Sequence, residues 1–306
     1  MTPLSRRTFV KGALLCSATA VLAADNGPHA VFPTEPRARL SVATYPFREW
    51  MIAPGNDERD SKKPGMDLVA FARRVPKEFG VHGIEPLSGH FPSTETSEMR
   101  KLRAAFDAAG VHVVNVPVDA RENPCSDDPA KREAGNAGYR HWVDIAVILG
   151  SPSIRIWIPK CSDFNDIPKA VQALKPTIDY AATKNIVVNL ENDDPVTASV
   201  KRTIAALKVG NNPYFRALPD FGNGLVAGDE KFNSDGVRQM FAYAFNISHV
   251  KDSEIVEGKR KTASLAELYG IAKAAGYRGY FSMESESGGD PFVDTKRLIA
   301  ESVSLI

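Results

Sequence analysis

The chain has 306 residues, and its 38 lysines and arginines nearly balance its 37 aspartates and glutamates, which leaves a formal net charge of +1. Because nucleic acids and anionic membranes attract basic proteins, this balance disfavours both as partners. The hydrophobic share of 43% is typical of a globular chain that buries a sizeable core. Three cysteines are too few for a disulfide-dense scaffold.

The N-terminus resembles a twin-arginine signal peptide. Residues 5–11 read SRRTFVK, an apolar stretch covers residues 12–24, and VLA at residues 21–23 offers a cleavage site. The apolar stretch is too short to span a bilayer as a mature helix. We therefore expect export by the twin-arginine translocase, removal of residues 1–23, and a periplasmic or secreted protein with no stable membrane anchor. Residues 24–39 then form a lead-in segment.

The remaining chain, residues 40–306, alternates short apolar runs with segments of helical periodicity. The runs predict strands at residues 40–45, 82–85, 111–116, 153–158, 186–191, 215–220, 247–251 and 279–284. The periodic segments predict helices at residues 66–79, 99–109, 139–149, 170–183, 196–207, 237–245, 265–275 and from 292 to the C-terminus. Eight βα units of roughly 33 residues predict an α/β fold, a single (β/α)₈ TIM barrel. An open doubly wound sheet is the alternative, but no glycine-rich phosphate motif follows a strand.

Four metal-ligand side chains lie at the ends of the last four predicted strands. They are Glu191, Asp220, His249 and Glu284. Their spacing is close to one βα unit each, so barrel closure would gather them around one point at the C-terminal mouth. Each of these residues alone has a simple structural explanation, but all four at the same level of successive strands indicate a metal site. An oxygen-rich set suits one divalent ion, Mn²⁺ first, with Mg²⁺, Co²⁺ or Zn²⁺ as other candidates.

This ligand set predicts proton abstraction next to a carbonyl group. A divalent ion can stabilise the enediolate, while one carboxylate removes the proton and a carboxylic acid on the other face returns one. Glu191 and Glu284 provide such a pair. Lys251 shares its strand parity with His249, so it could neutralise the oxyanion or form a salt bridge with a site carboxylate.

Four segments carry a family resemblance: NLEN at 189–192, DFGN at 220–223, HVKD at 249–252 and SME at 282–284. From about Leu40 to the C-terminus, the chain resembles the xylose isomerase-like TIM barrels, also called sugar phosphate isomerases/epimerases. The resemblance implies that the four residues bind one divalent metal and that the two glutamates exchange the substrate proton. It implies a metal-dependent sugar isomerase or epimerase with a small carbohydrate substrate.

Two positions depart from the ketose 3-epimerases of that family. Asn223 stands where those enzymes have a histidine, and Ile255 stands about where they have an arginine. A free ketohexose is therefore disfavoured as substrate. The alternative is a lyase or dehydratase that acts on a keto-sugar, a 3-keto-glycoside or a cyclitol. An apurinic endonuclease would need more histidines at ligand positions, and a non-catalytic sugar-binding protein would not need two opposed glutamates.

Other residues are predicted to bind the substrate. Glu85 and His90 follow the second predicted strand, Arg155 and Trp157 share one face of the fourth, and Asn223 follows the metal-ligand aspartate. Glu286, two residues beyond Glu284, is the rival for its ligand position. The sequence leaves the oligomeric state open, a homo-oligomer included.

Two cysteines remain once the signal peptide is removed. Cys125 and Cys161 follow the third and fourth predicted strands, so both lie in loops on one face of the barrel. An oxidising compartment favours a bridge between them. Folding before twin-arginine export happens in a reducing cytoplasm, so we expect two free, partly buried thiols.

Overall fold

The structure, a computed structural model, describes residues 27–119, 122–163, 165–193 and 200–306. The predicted signal peptide and the start of the predicted helix at 196–207 lie outside the described residues. Among the residues described, no helix combines the length and the apolar character needed to cross a bilayer.

Parallel strands form the centre of the molecule. The strands are β1 Leu40–Ala43, β2 Gly83–Glu85, β3 His112–Val113, β4 Val116–Pro117, β5 Ser153–Ile156, β6 Val187–Glu191, β7 Phe215–Leu218, β8 Ile247–Val250, β9 Ser253–Val256, β10 Lys259–Thr262 and β11 Tyr280–Met283. Two parallel sheets run in the orders β3-β2-β1-β11-β8 and β4-β5-β6-β7. Single bridges from Ala217 to Ala244 and from Asp220 to His249 connect β7 to β8 and its preceding turn. The predicted barrel is confirmed, with β3 and β4 as two halves of its third strand.

Helices surround these strands. They are α1 Leu68–Phe79, α2 Thr96–Ala109, α3 Pro129–Leu149, α4 Ile167–Thr183, α5 Val200–Gly210, α6 Gly224–Ala227, α7 Glu230–Phe241, α8 Leu265–Ala274 and α9 Pro291–Leu305. Aspartate side chains accept backbone N–H groups at the N-termini of α1, α3, α4, α7 and α9. Gly80, Gly110 and Gly150 end α1, α2 and α3 with φ of 64°, 72° and 73°, in the left-handed region that glycine adopts without steric cost.

Helix α3 begins ten residues before the predicted helix at 139–149. Its first turns read PAKREAGNAG, which has no apolar periodicity for a helix prediction to use. The start is set instead by Asp128, whose Oδ1 accepts the N–H of Ala130 at 2.8 Å, and by Pro129 in the first turn. The added turns contribute Ala134, Gly135 and Gly138 to the lining of a groove of about 590 Å³.

The antiparallel hairpin of β9 and β10 was not predicted. Its turn places Glu257 and Gly258 at φ of 50° and 74°, the conformation of a tight two-residue hairpin turn. Strand β10 reads KRKT and is largely exposed, so it lacks the apolar alternation that marks a strand. The hairpin follows β8 and brings Glu254 to the C-terminal mouth.

The expectation of free thiols at Cys125 and Cys161 is wrong. The two cysteines form a disulfide whose Cα atoms are 5.0 Å apart, across a sequence separation of 36 residues. The bridge joins the loop after β4 to the loop after β5. A hydrogen bond also connects these two loops, because Asn123 Nδ2 donates to the carbonyl of Lys160 at 2.6 Å. Closing a loop of this length stabilises a folded chain by roughly 3–4 kcal/mol in the chain-entropy estimate.

Candidate functional site

Four buried side chains meet at the C-terminal ends of β6, β7, β8 and β11. Glu191, Asp220, His249 and Glu284 each offer one nitrogen or oxygen atom, and these atoms all lie within 4.8 Å of one another. Glu191 ends β6, Glu284 directly follows β11, and the bridge from Asp220 to His249 places both at the same level. The structure thus brings together the four residues predicted as metal ligands.

The ring of His249 is held from both sides. Its Nδ1 lies 2.7 Å from Glu191 Oε1, 3.0 Å from Glu284 Oε2 and 3.9 Å from Asp220 Oδ2. Its Nε2 lies 2.9 Å from Glu85 Oε1, on the side of the barrel interior. A carboxylate that accepts the second N–H of a histidine leaves the first nitrogen free to bind a metal. Nδ1 therefore faces the three carboxylates as the ligand atom.

Asp220 shows that the set fits a metal ion. Its Oδ1 accepts the backbone N–H groups of Gly222 and Asn223 at 2.8 and 2.6 Å. Its Oδ2 is buried and accepts no hydrogen bond from the described residues. Lys251 Nζ lies 3.6 Å from it, beyond hydrogen-bond distance, and a buried carboxylate oxygen without a donor is costly unless a cation completes its contacts. With three carboxylates and one imidazole within this span, the donors match a divalent ion that prefers oxygen ligands.

Burial and crowding shift the pKa values of the site. Burial raises the pKa of Asp220 well above its ordinary value; the ammonium group of Lys251 opposes the effect, and Glu191 and Glu284 add to it. Burial also raises the pKa of Glu191, although His249 and Arg155 oppose it. Without a metal, the protein must hold several acids close together in a dry site. A divalent cation would remove that repulsion.

Lys251 lies among the carboxylates. Its Nζ is 2.5 Å from Glu286 Oε2 and 3.0 Å from Glu254 Oε1, and it donates to Asn223 Oδ1 at 2.9 Å. It also lies 3.6 Å from Asp220 Oδ2. Burial alone would lower the pKa of Lys251, but these carboxylates raise it well above its ordinary value. The side chain is therefore a buried ammonium group.

A glycine makes room for this lysine. A Cβ atom at Gly222 would lie 2.5 Å from Cγ and 2.9 Å from Cδ of Lys251. These separations are closer than side-chain packing allows. Gly222 therefore sets the path of the Lys251 side chain to the site.

A small cavity opens above these groups. Its volume is about 190 Å³, and its lining includes Glu191, Lys251, Glu284, Arg155, Trp157, Asn223, Tyr45 and Glu286. The predicted substrate-binding residues Arg155, Trp157 and Asn223 thus face the cavity. Arg155 Nε lies 2.9 Å from Glu191 Oε2 and its Nη1 lies 3.0 Å from Asp119 Oδ1. Asn223 Nδ2 donates to Glu191 Oε1 at 3.3 Å.

Two predicted substrate contacts lie elsewhere. Glu85 is fully buried, and its Oε1 accepts from His249 and from Asn115 Nδ2 at 2.7 Å, so it supports the site from below and does not line the cavity. His90 is also buried, with its Nδ1 2.8 Å from Thr44 Oγ1. His90 does not line this cavity; it lines the adjoining groove of about 590 Å³.

Glu286 and Glu254 were not assigned to Lys251 from the sequence. Glu286, the predicted rival for the ligand position of Glu284, lies outside the group of four and contacts Lys251. Its position two residues after Glu284, on the same side of the chain, is the sequence feature that could have placed it near Lys251. Glu254 arrives on the unpredicted hairpin, and no sequence pattern indicated it.

Comparison with known proteins places the chain in a family. The sequence pattern of the xylose isomerase-like TIM barrel matches residues 74–306. No curated protein matches the chain in sequence.

Solved structures share the fold at low sequence identity. A D-tagatose 3-epimerase-like protein superposes with a TM-score of 0.68 at 13% identity, covering 87% of this chain and 97% of that chain. The 3-keto-D-glucoside 4-epimerase of E. coli gives 0.65 at 13%, with 87% and 99% covered. A xylose isomerase-like TIM barrel protein from Mycobacterium smegmatis in complex with magnesium gives 0.62 at 17%, with 87% and 97% covered. Because the family pattern spans most of the sequence, the chain belongs to the xylose isomerase-like TIM barrel family.

Proposed function

We propose that the protein is a divalent-metal-dependent isomerase or epimerase of a small carbohydrate. The observation that carries the proposal is the pair of glutamates, Glu191 and Glu284, which flank the Nδ1 atom of His249 at 2.7 and 3.0 Å beneath one small cavity. The solved structures of this fold named above include two sugar epimerases or epimerase-like proteins, which supports the substrate class.

Glu191, Asp220, His249 and Glu284 would hold the ion, and Mn²⁺ is the ion we propose. The fold relative in complex with magnesium supports a hard divalent ion, so Mg²⁺ is the next candidate, followed by Co²⁺ and Zn²⁺. When bound, the ion would supply Lewis-acid stabilisation of the negative charge that develops on the substrate oxygen.

The protein's own residues would move the proton. Glu191 contacts Arg155 at 2.9 Å and Asn223 at 3.3 Å, so its carboxylate is held in one orientation. Glu284 follows β11, which β7 and β8 separate from β6, and it lies 3.7 Å from Lys251 Nζ. One glutamate removes the proton from the carbon next to the carbonyl, and the other returns a proton to the opposite face or to the neighbouring carbon.

Lys251 would act on the developing charge. Its ammonium group lines the cavity and is held by Glu286, Glu254 and Asn223, so little reorganisation is needed when an oxyanion forms beside it. We assign it electrostatic stabilisation of the transition state, with Arg155 and Trp157 as substrate contacts.

We also propose that the chain is exported by the twin-arginine translocase and acts in the periplasm or outside the cell. The SRRTFVK run at residues 5–11 supports this. The disulfide between Cys125 and Cys161 adds support, because such bonds persist in oxidising compartments. Replacement of Arg6 and Arg7 by lysine should retain the protein in the cytoplasm, as measured by cell fractionation.

Deuterium exchange tests the proposed reaction. The Mn²⁺-loaded enzyme is incubated in D₂O with free and keto sugars, and NMR identifies the carbon that gains deuterium. Glu191→Gln and Glu284→Gln should abolish enzyme-dependent exchange, while the exposed Glu267→Gln serves as the matched control. Exchange that persists at the wild-type rate in both site variants would refute the assignment. A product with a new double bond would instead assign the site to the lyase reaction.

A further inference from the structure

The inner cavity of the candidate active site adjoins a groove on the side of Asp119. The inner cavity, at the carboxylates, has a volume of about 190 Å³. A groove of about 590 Å³ shares Glu58, Leu87 and Asp119 with it. Pockets that bury a whole drug-sized ligand measure roughly 300–1,000 Å³. The inner cavity therefore holds one small ring, and the groove has room for a second unit attached to that ring.

The groove begins beside a base of the proposed reaction. Asp119 lines both spaces, and its Oδ1 lies 3.0 Å from Nη1 of Arg155, whose Nε lies 2.9 Å from Glu191 Oε2 in the inner cavity. The groove continues between the loops after β1, β2 and β4 and the early turns of α3. A substituent on a ring bound at Glu191 would leave the inner cavity past Asp119 and enter this groove.

The groove lining suits a carbohydrate unit. Trp142 is half-buried beside Phe91, with ring centroids 5.1 Å apart, and offers an apolar ring at the groove. Asp57, Thr94 and Glu122 are exposed there, and their side chains bind no other residue that the structure describes. An aromatic surface with hydroxyl and carboxylate groups around it can bind both the C–H face and the hydroxyls of a sugar.

The charge of the groove selects against an anion. Its described lining contains no lysine or arginine. Burial and then Arg48 lower the pKa of His90 to about 4, so this imidazole is neutral at neutral pH. Four carboxylates line the groove: Asp57, Glu58, Asp119 and Glu122. Glu58 pairs with Arg48 and Asp119 with Arg155, so Asp57 and Glu122 are the two that no described lysine or arginine neutralises. A phosphate or carboxylate in the second unit would lie near Asp57 and Glu122, with no lysine or arginine in the described groove lining to bind it.

We propose that the substrate is an uncharged glycoside, with its oxidised sugar ring in the inner cavity and its second unit in the groove beside Trp142. This inference rests on the proposed function for the identity of the reacting ring. It goes further by assigning a second binding subsite for the rest of the substrate.

Two glycines provide a matched pair of variants. Gly138 lies in α3 on the groove, and Gly270 lies in α8 and does not line it. Both are exposed, and a Cβ atom at either position meets nothing within 4 Å. Gly138→Phe should therefore fill the groove without removing a core contact, and Gly270→Phe should test for the general cost of the substitution.

The test compares 3-keto-glucose with 3-keto-cellobiose in which the non-reducing ring is oxidised. We expect deuterium uptake from D₂O with a kcat/KM about tenfold or more higher for the disaccharide, because remote contacts contribute to transition-state binding. Gly138→Phe should lose this advantage and keep the rate on 3-keto-glucose, while Gly270→Phe should behave as wild type. Equal wild-type kcat/KM values for the two sugars would overturn the inference, as would an unchanged preference in Gly138→Phe.

A binding measurement separates this inference from the proposed reaction. If no sugar gains deuterium, the proposed reaction is wrong. Calorimetry with unoxidised cellobiose and glucose then tests the second subsite independently of the reaction. We expect cellobiose to bind about tenfold tighter than glucose to the wild type and to Gly270→Phe. The same difference should be absent in Gly138→Phe. Equal affinities of the two sugars for the wild type would refute the assignment of the groove as a second subsite.

Discussion

Glu85 Oε1 lies 2.9 Å from His249 Nε2, so a carboxylate of β2 fixes the orientation of a candidate metal ligand on β8. Both side chains are fully buried. Although burial alone would raise the pKa of Glu85, the contact with His249 lowers it, so the carboxylate accepts the hydrogen bond in its charged form. The Nδ1 atom of the same ring is then directed at Glu191 and Glu284. A residue without a place in the cavity thus supports the geometry of the site.

Replacement of Glu85 should weaken metal binding without removing a ligand. Supporting residues of this kind typically contribute about 10- to 100-fold to metal affinity. We expect Glu85→Gln to raise the Kd for Mn²⁺ by about tenfold in calorimetry. Glu267→Gln is the control, since its side chain is exposed on α8. An unchanged Kd in Glu85→Gln would show that the hydrogen bond does not orient His249.

Lys251 should act on the transition state more than on metal binding. We expect Lys251→Met to lower kcat by about 100-fold or more, in the range measured for lost oxyanion stabilisation, with the metal content unchanged. Gly222→Ala should lower kcat in the same direction, because its Cβ would displace Lys251. Gly270→Ala controls for the added methyl group. A normal kcat in Lys251→Met would reduce the residue to a structural role.

The disulfide should stabilise the fold and hold the loops beside the cavity. Cys125→Ser should lower the free energy of unfolding by roughly 3–4 kcal/mol in urea denaturation. Because the bridge joins the loop that contains Asp119 to the one that contains Trp157, KM should rise more than kcat falls. Intact-mass analysis of the chain without its signal peptide should find no alkylated cysteine before reduction. Two alkyl groups before reduction would contradict the bridge.

His90 should make the protein sensitive to mild acid. Its pKa falls to about 4 in the folded state because of burial and then Arg48, against an ordinary value of about 6.5 when unfolded. The unfolded chain therefore binds the proton first as the pH falls from about 6.5 to about 4, and stability is lost over that range. At pH 5 the loss relative to pH 7 is about 2 kcal/mol. In urea denaturation, His90→Gln should lose less free energy of unfolding than the wild type between pH 7 and pH 5. An equal loss in both proteins would show that His90 does not cause the acid sensitivity.

Much of the barrel and the ligand group could be predicted because both depend on spacing. Glu191, Asp220, His249 and Glu284 are one βα unit apart, and a closed barrel repeats its geometry with that period. The end of α1 could also be predicted, because Gly80 adopts the positive φ that ends the helix.

Other features depend on distances that a single sequence does not contain. The position of Glu85 below the site follows from the register of β2 in the barrel, which pairs Glu85 with Ala43. The disulfide requires the two cysteines to approach to 5.0 Å, which depends on the paths of two loops. The hairpin that brings Glu254 to Lys251 has one largely charged strand, so its pairing leaves no apolar pattern.

Metal content measured in the purified wild type and in single alanine variants is the most direct test of the site. We expect one divalent ion per chain in the wild type by elemental analysis after Mn²⁺ loading and buffer exchange. Asp220→Ala, His249→Ala and Glu284→Ala should each lose most of it while circular dichroism shows an intact fold, because each removes one of the four grouped ligands. Full metal occupancy in both His249→Ala and Glu284→Ala would contradict the assignment of this site as a metal centre.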